Sequence, residues 1–168
     1  QIQPLPLKRG SLELTKTVNS LEIVENQAVF SLSNIPDKPG IAAQIFEKLS
    51  EAGINVDLII QATNDGNNND ITFTVSELEV KKTAEQCELI TSQLGGEYNL
   101  KTNMTKLSIQ GAGIMGRPSV SADLFDTLSQ ANINVRLIAT SEIKVSCVVE
   151  ISNICLLYTS PSPRDLWI

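Results

Sequence analysis

The sequence predicts an α+β fold built from two tandem copies of one βαββαβ unit, on three observations. The run IFEKLSEAGINVDLI at residues 45–59 matches LFDTLSQANINVRLI at 124–138 in nine of fifteen positions. The offset of 79 residues continues upstream and sets Pro118 over Pro39 and Ala122 over Ala43. Each copy also alternates between β-branched runs of strand period and apolar residues at helical spacing.

In the first copy, AVFSL (28–32) reads as a strand and SNIPDKPG (33–40) as the loop into a helix. That helix carries Ile41, Ile45, Phe46, Leu49 and Ala52 on one face. INVDLIIQ (54–61) is a β-branched strand, NDGNNN (64–69) a turn, and ITFTV (71–75) the next strand. Val80, Ala84, Cys87, Ile90 and Leu94 space as a second helix, which Gly95 closes. EYNLKT (97–102) supplies a last short strand, and the order β-α-β-β-α-β is that of a ferredoxin-like unit.

The second copy begins at TKLSIQ (105–110) and has its helix over Val120, Leu124, Leu128 and Ala131. INVRLIAT (133–140) then pairs with IKVSCVVE (143–150). Upstream, TVNSLEIVENQAVFSL (17–32) suggests an extra hairpin turning at residues 25–27. The expected division is a linker or the end of a preceding region at 1–25, with part of that hairpin, a first unit at 26–103 and a truncated second unit at 104–150. Residues 151–168, ISNICLLYTSPSPRDLWI, break the pattern with Pro161 and Pro163, and CLLYTSPSPRD resembles translated sequencing-adapter read-through. They are expected to be non-authentic or disordered, which leaves the second unit without its second helix and final strand.

Composition removes several classes of function. Of 168 residues, 42% are hydrophobic and 19% charged, an ordinary globular mix. The net charge of −6 argues against nucleic acid as a partner, since such binders carry a basic footprint. No stretch approaches the roughly 18 apolar residues of a membrane span, so no membrane partner is expected. The start, QIQPLPLKRG, lacks the pattern of a secretory signal and is expected to lie within a longer protein. There is no histidine, and Cys87, Cys147 and Cys155 form no CxxC, which argues against a metal site and against Cys–His or Ser–His catalysis. A reducing, cytoplasmic location is expected.

GAGIMG (111–116) matches the dinucleotide fingerprint G-x-G-x-x-G. At the repeat offset its glycines fall over Leu32, Asn34 and Asp37, so the first copy builds the same loop without them. The acidic residue expected about 20 positions on is absent, and a hairpin stands where a parallel crossover is required. The motif is read as a loop.

Both loops open onto a helix start, DKPGIAAQ and GRPSVSAD. Exposed amides and the positive end of the helix dipole favour a carboxylate or phosphate there, and Gly40 permits close approach to the backbone. Pro39 and Pro118 as plain helix starters is the other reading. The NDGNNND run is read as a β-turn rather than a metal loop, because it lacks alternating acidic ligands.

The run IPDKPGIAAQIFEKLSEAGINVDLIIQ (35–61) resembles the ACT domain, a regulatory module that binds amino acids. INVRLIATSEIKVSCVVE (133–150) narrows the likeness to the regulatory region of the aspartate kinase family, over residues 26–150. VDLIIQ and NDITFTV are most similar to bacterial and cyanobacterial forms. The resemblance implies a kinase domain upstream that phosphorylates the aspartate side chain with ATP, on the route to lysine, threonine and methionine. Lysine and threonine feed back on the ACT domains. It further implies a threonine site using Gly40, Ala42 and Gln61 with Asn134 and Val135 of a facing domain. A lysine site would use Asp57 with Ser121, Ala122, Asp123, Ser141 and Glu142. No catalytic residue and no cofactor is expected in this chain, ATP and magnesium belonging to the kinase domain. An ACT–ACT homodimer and that kinase domain are the expected protein partners.

Asp57 aligns with Arg136, a carboxylate against a cation, which suggests two unlike sites shared across a pseudo-twofold interface. A solvated strand-end charge is the plainer account of Arg136. Two rival functions stay in view. An ACT module of another amino-acid enzyme is opposed by TSEIKVS, and a single-stranded RNA binder by the acidic charge and scarcity of strand aromatics. A standalone enzyme lacks a paired nucleophile and base.

Overall fold

The computed structural model describes residues 20–111, 114 and 117–150. Residues Asn26–Asn103 form one compact unit, and the described residues on either side of them in sequence form the other. They are called here the inserted and the flanking unit.

The inserted unit runs through β1 (Ser20–Pro36, from Asn26), α1 (Ile41–Glu51), β2 (Ile59–Asn64), β3 (Asn68–Ser76), α2 (Val80–Leu94) and the first half of β4 (Glu97–Gln110). Its strands lie in the order β2-β3-β1-β4, the ferredoxin-like arrangement. α1 buries Ile45 and Leu49, one turn apart, and α2 buries Thr83, Cys87 and Ile90. Alternate strand residues Ala28, Phe30 and Leu32 meet Ile71, Phe73 and Val75 in the same core. Phe30 stacks on Phe73 with ring centroids 5.7 Å apart, and Phe46 of α1 meets Phe73 edge-on at 6.0 Å.

The flanking unit contains the second half of β4, α3 (Pro118–Gln130), β5 (Val135–Thr140) and β6 (Lys144–Glu150), in the order β1-β4-β6-β5. Its fourth strand position is therefore filled by residues 20–25 of β1. Leu21 and Ile23 pack against a core of Leu107, Ile109, Leu124, Leu128, Val145, Cys147 and Val149. A strand preceding the insert thus supplies what the sequence pattern assigned to a final strand after residue 150.

Two expectations change. No hairpin turns at residues 25–27: β1 is one strand of 17 residues that passes through Asn26 at φ 56°. Likewise 97–102 and 105–110 are not separate strands but one strand of 14, passing through Asn103 at φ 58°. Asparagine tolerates the left-handed region better than other side chains, so each strand kinks without ending. The Asn103 amide donates to Glu77 Oε1 at 2.9 Å, which ties the second kink to the turn before α2.

Register corrects the uniform repeat offset. Phe30 and Ile59 both pair with Phe73, while Leu107 and Ile138 both pair with Cys147. Leu107 is therefore the counterpart of Phe30, and the loop from there to the helix-start proline is two residues longer in the flanking unit. The β5–β6 hairpin, by the same pairs, is five residues shorter than β2–β3. At that register Gly111 falls over Asn34 rather than Leu32, while Gly113 and Gly116 lie outside the described residues. Cys155 and the proposed tail from 151 lie outside the described residues. Among the described residues, no helix is long and apolar enough to cross a membrane.

Gly96 carries a tight contact. It follows Gly95, the cap of α2, at φ +83°, and a Cβ there would stand 2.3 Å from the Ser33 carbonyl oxygen and 3.0 Å from that of Asn34. Those carbonyls belong to the bulge between Leu32 and Ile35 in β1. Gly96→Ala is expected to cost more than about 2 kcal/mol in denaturant unfolding, since backbone must move. Gly40→Ala, where nothing lies within 4 Å of the added Cβ, should cost only about 1 kcal/mol for its positive φ.

Burial pushes the thiols of Cys87 and Cys147 up from 9.0 to about 12. The unfolded chain releases these protons first, so the thiols favour the folded state fully below pH 9, and that stability is lost as pH rises toward 12. Stability measured across pH 8–11 should fall on the alkaline side, and less steeply in Cys87→Ser with Cys147→Ser after correction for other groups. A thiol reagent should label both only at the rate of opening.

Candidate functional site

Near the start of α1, three hydrogen bonds tie the end of β1 and the loop after it to the β2–β3 hairpin. Asp37 N–H donates to the Asn67 carbonyl at 2.9 Å, Asn69 Nδ2 to Asp37 Oδ1 at 2.9 Å, and Asn34 N–H to Asp70 Oδ1 at 3.1 Å. The hairpin turn forms because Gly66 and Asn67 both adopt positive φ, 102° and 63°. Gly40 precedes the helix at φ 88°, ψ −10°, and open space surrounds the place of its missing Cβ. Among the described residues no side chain caps α1; the Ile41 N–H donates to the Lys38 carbonyl at 3.3 Å, which leaves the amides of Ala42 and Ala43 directed at the loop for an anionic partner.

The geometry therefore sets a fixed carboxylate, Asp37, beside an uncapped helix start. A free amino acid carries the two complementary charges: an ammonium for Asp37 and a carboxylate for the amides of the helix. Ala42 lies in that first turn. Gln61 stands opposite Ile71 in the β2–β3 ladder, so its side chain projects from the helix-bearing face, where it is exposed. Gly40, Ala42 and Gln61 thus share one unit and one face of its sheet with Asp37.

Asp57 sits at a bulge. Its N–H donates to the Thr74 carbonyl and Thr74 N–H to the Leu58 carbonyl, both at 3.0 Å, so two residues face one. Leu58 N–H adds a bond to Thr74 Oγ1 at 3.0 Å. The flanking unit repeats the feature, since Val135 pairs with Val149 and Leu137 with Val148, which leaves Arg136 as the extra residue. Arg136 turns to Glu150: Nε donates to Oε1 at 3.1 Å and Nη2 pairs with the same oxygen.

The remaining residues named from sequence lie in the flanking unit. Ser121, Ala122 and Asp123 occupy the early turns of α3, where Asp123 and Ser121 are half-buried and Ala122 is exposed. Ser141 and Glu142 form the exposed β5–β6 turn, closed by Ser141 N–H to the Lys144 carbonyl at 2.8 Å. Gly111 N–H donates to the Ile143 carbonyl at 2.8 Å, which brings that turn to the loop leading into α3. Val135 opens β5 and Asn134 immediately precedes it. Asp37 and Asn69 were not singled out from the sequence. Asp37 lay inside the quoted PDKPG, beside a helix start, and that adjacency was the available signal. Asn69 was assigned to a turn, whereas it belongs to β3.

A family profile for the ACT domain matches residues 33–88 and 107–154. The chain belongs to the ACT-domain family. Within it, the match is to the regulatory region of aspartate kinases. The chain is 34% identical over 145 residues to the aspartokinase of Thermus thermophilus, covering 85% of this chain and 36% of that protein. It is similar to the crystal structure of the ligand-free regulatory subunit of aspartate kinase from Thermus thermophilus, with TM-score 0.74 and 34% identity, over 81% of this chain and 90% of that one. The aspartate kinase of Synechocystis matches with TM-score 0.79 and 33% identity, over 90% of this chain and 26% of that one. The chain thus spans about a third of the length of the curated aspartokinase it matches.

The Arg136–Glu150 pair is partly exposed on both sides, so solvent screens it. Arg136→Leu is expected to change the unfolding free energy by less than about 1 kcal/mol, as exposed ion pairs do. A larger loss in urea titration would mean that Arg136 holds more than its strand neighbour.

Proposed function

We propose that this chain is the amino-acid-sensing part of an aspartate kinase and that threonine, lysine or both bind it to control phosphorylation of aspartate. One observation supports this most directly: the carboxylate of Asp37 accepts from Asn69 Nδ2, and the Asp37 backbone N–H is held by the Asn67 carbonyl, beside the start of α1. That pairing of one negative and one positive end suits a zwitterion. It suits a nucleotide poorly, because Asp37 would repel phosphate.

Residue roles follow the same chemistry. Amides near Gly40 and Ala42 take the effector carboxylate, Asp37 its ammonium, and the Gln61 amide a side-chain hydroxyl as donor or acceptor. Asn134 and Val135 of a facing ACT domain complete the threonine site. For lysine, the carboxylates of Asp57, Asp123 and Glu142 offer partners to a second ammonium, with Ser121, Ala122 and Ser141 alongside. ATP and magnesium act in the kinase domain of the parent protein, in the cytoplasm. Effector binding favours one arrangement of paired ACT domains over another and so couples concentration to activity.

Thermal unfolding of the chain with threonine, lysine, methionine or NAD tests the reading. A ligand at about 100 times its dissociation constant adds about 2.7 kcal/mol to the folded state, a clear rise in midpoint. Threonine or lysine should raise it, and methionine and NAD should not. Gln61→Ala should then abolish the threonine shift and Asp57→Ala the lysine shift. A cooperative transition that neither amino acid moves would remove the proposal.

A further inference from the structure

Asn69 has no assigned role, and its surroundings are unusual for a hairpin asparagine. It is 5% exposed, near the start of β3 and opposite both Ile35 and Thr63. Its Nδ2 donates to Asp37 Oδ1 at 2.9 Å, while its Oδ1 is buried with no hydrogen-bond partner among the described residues. A buried carbonyl oxygen without a donor is costly, and native proteins rarely leave one so. The orphan acceptor lies on the same amide that grips the Asp37 carboxylate, three residues before Gly40.

The flanking unit supplies the contrast. Counting back from the paired Phe73 and Cys147, the counterpart of Asn69 is Ile143, an apolar residue that offers only its backbone carbonyl, to Gly111. The amide–carboxylate grip therefore belongs to the inserted unit alone among the described residues.

We propose that Asn69 is a positioning and specificity-determining residue for effector binding at the start of α1. Its NH2 group holds the Asp37 carboxylate in place, and its carbonyl oxygen accepts a hydrogen bond from the bound ammonium. Ammonium is the fitting donor, because it carries three N–H bonds and can engage Asp37 and Asn69 together. Selectivity for a primary amine over its deamino analogue then resides in this pair. The inference rests on the sensing role proposed above and refines it.

The test uses the full chain and titration calorimetry with two matched ligand pairs: threonine against 3-hydroxybutyrate, and lysine against 6-aminohexanoate, each analogue lacking only the α-amine. Asn69→Ala and the near-isosteric Asn69→Leu are compared with Asp37→Asn and the doubles, the leucine variant keeping the measurement open if the alanine variant is poorly folded. Each Asn69 variant is expected to weaken the amine-bearing ligand by about tenfold or more, the size of a lost charge-assisted hydrogen bond, and to leave the analogue unchanged. In the Asp37→Asn background it should cost little further, because the two side chains act as one device. If the unaltered chain binds neither threonine nor lysine, the sensing role fails and this inference with it. If it binds, but Asn69 variants bind equally well, lose both members of a pair alike, or add their loss in full to that of Asp37→Asn, the inference is overturned and the sensing role stands.

Discussion

Two strands, β1 and β4, are each used twice, and both units depend on this sharing. A βαββ segment has apolar residues on one sheet face that stay wet until a fourth strand and the helices close over them. In the flanking unit that fourth place beside β4 is taken by residues 20–25, which the whole of Asn26–Asn103 separates from Met104 in the chain. In the inserted unit, β4 returns beside β1 and brings Tyr98 and Leu100 against its core. At both crossings the strand continues through an asparagine in the left-handed region, Asn26 and Asn103. Long-range pairing of this kind is entropically slow to form.

On this frame the duplicated unit has diverged where chemistry would act. Helices and the strands after them keep the repeat, and so does the bulge that carries Asp57 in one unit and Arg136 in the other. Differences gather at one end of each unit. The inserted unit has a longer β2–β3 hairpin whose tip reaches the α1 loop through Asn67, Asn69 and Asp70. The flanking unit has a longer loop and a shorter hairpin, joined by the bond from Gly111 to Ile143. A rigid sheet with variable loops at one edge is the usual way a fold acquires separate specificities.

Much of this was legible in the residues. The helical spacing of Ile45 and Leu49, and of Cys87 and Ile90, gave α1 and α2, and the β-branched runs gave β3, β5 and β6, because local period and burial agree in those elements. The aspartate kinase likeness of the chain was legible in the same way, from PDKPG and TSEIKVS. What escaped was non-local. Nothing near residues 20–25 shows that they close a sheet begun at 104, and an asparagine that kinks a strand reads like one that turns a hairpin. Uniform spacing across the helix and the strand after it hid the two length changes on either side, of opposite sign and unequal size, which only strand register exposes. For the site, Gly40, Ala42 and Gln61 were named from the likeness, whereas the Asp37–Asn69 contact joins residues 32 apart and has no local signature.

The central claim is that the α1 start, fastened by the hairpin tip, receives an amino acid. Amide hydrogen exchange by mass spectrometry, with and without saturating threonine or lysine, tests it most directly. The account predicts slower exchange concentrated at 37–44 and 67–71 when an effector is present, with α2 unchanged. Protection confined to other segments under conditions where the effector demonstrably binds would contradict it.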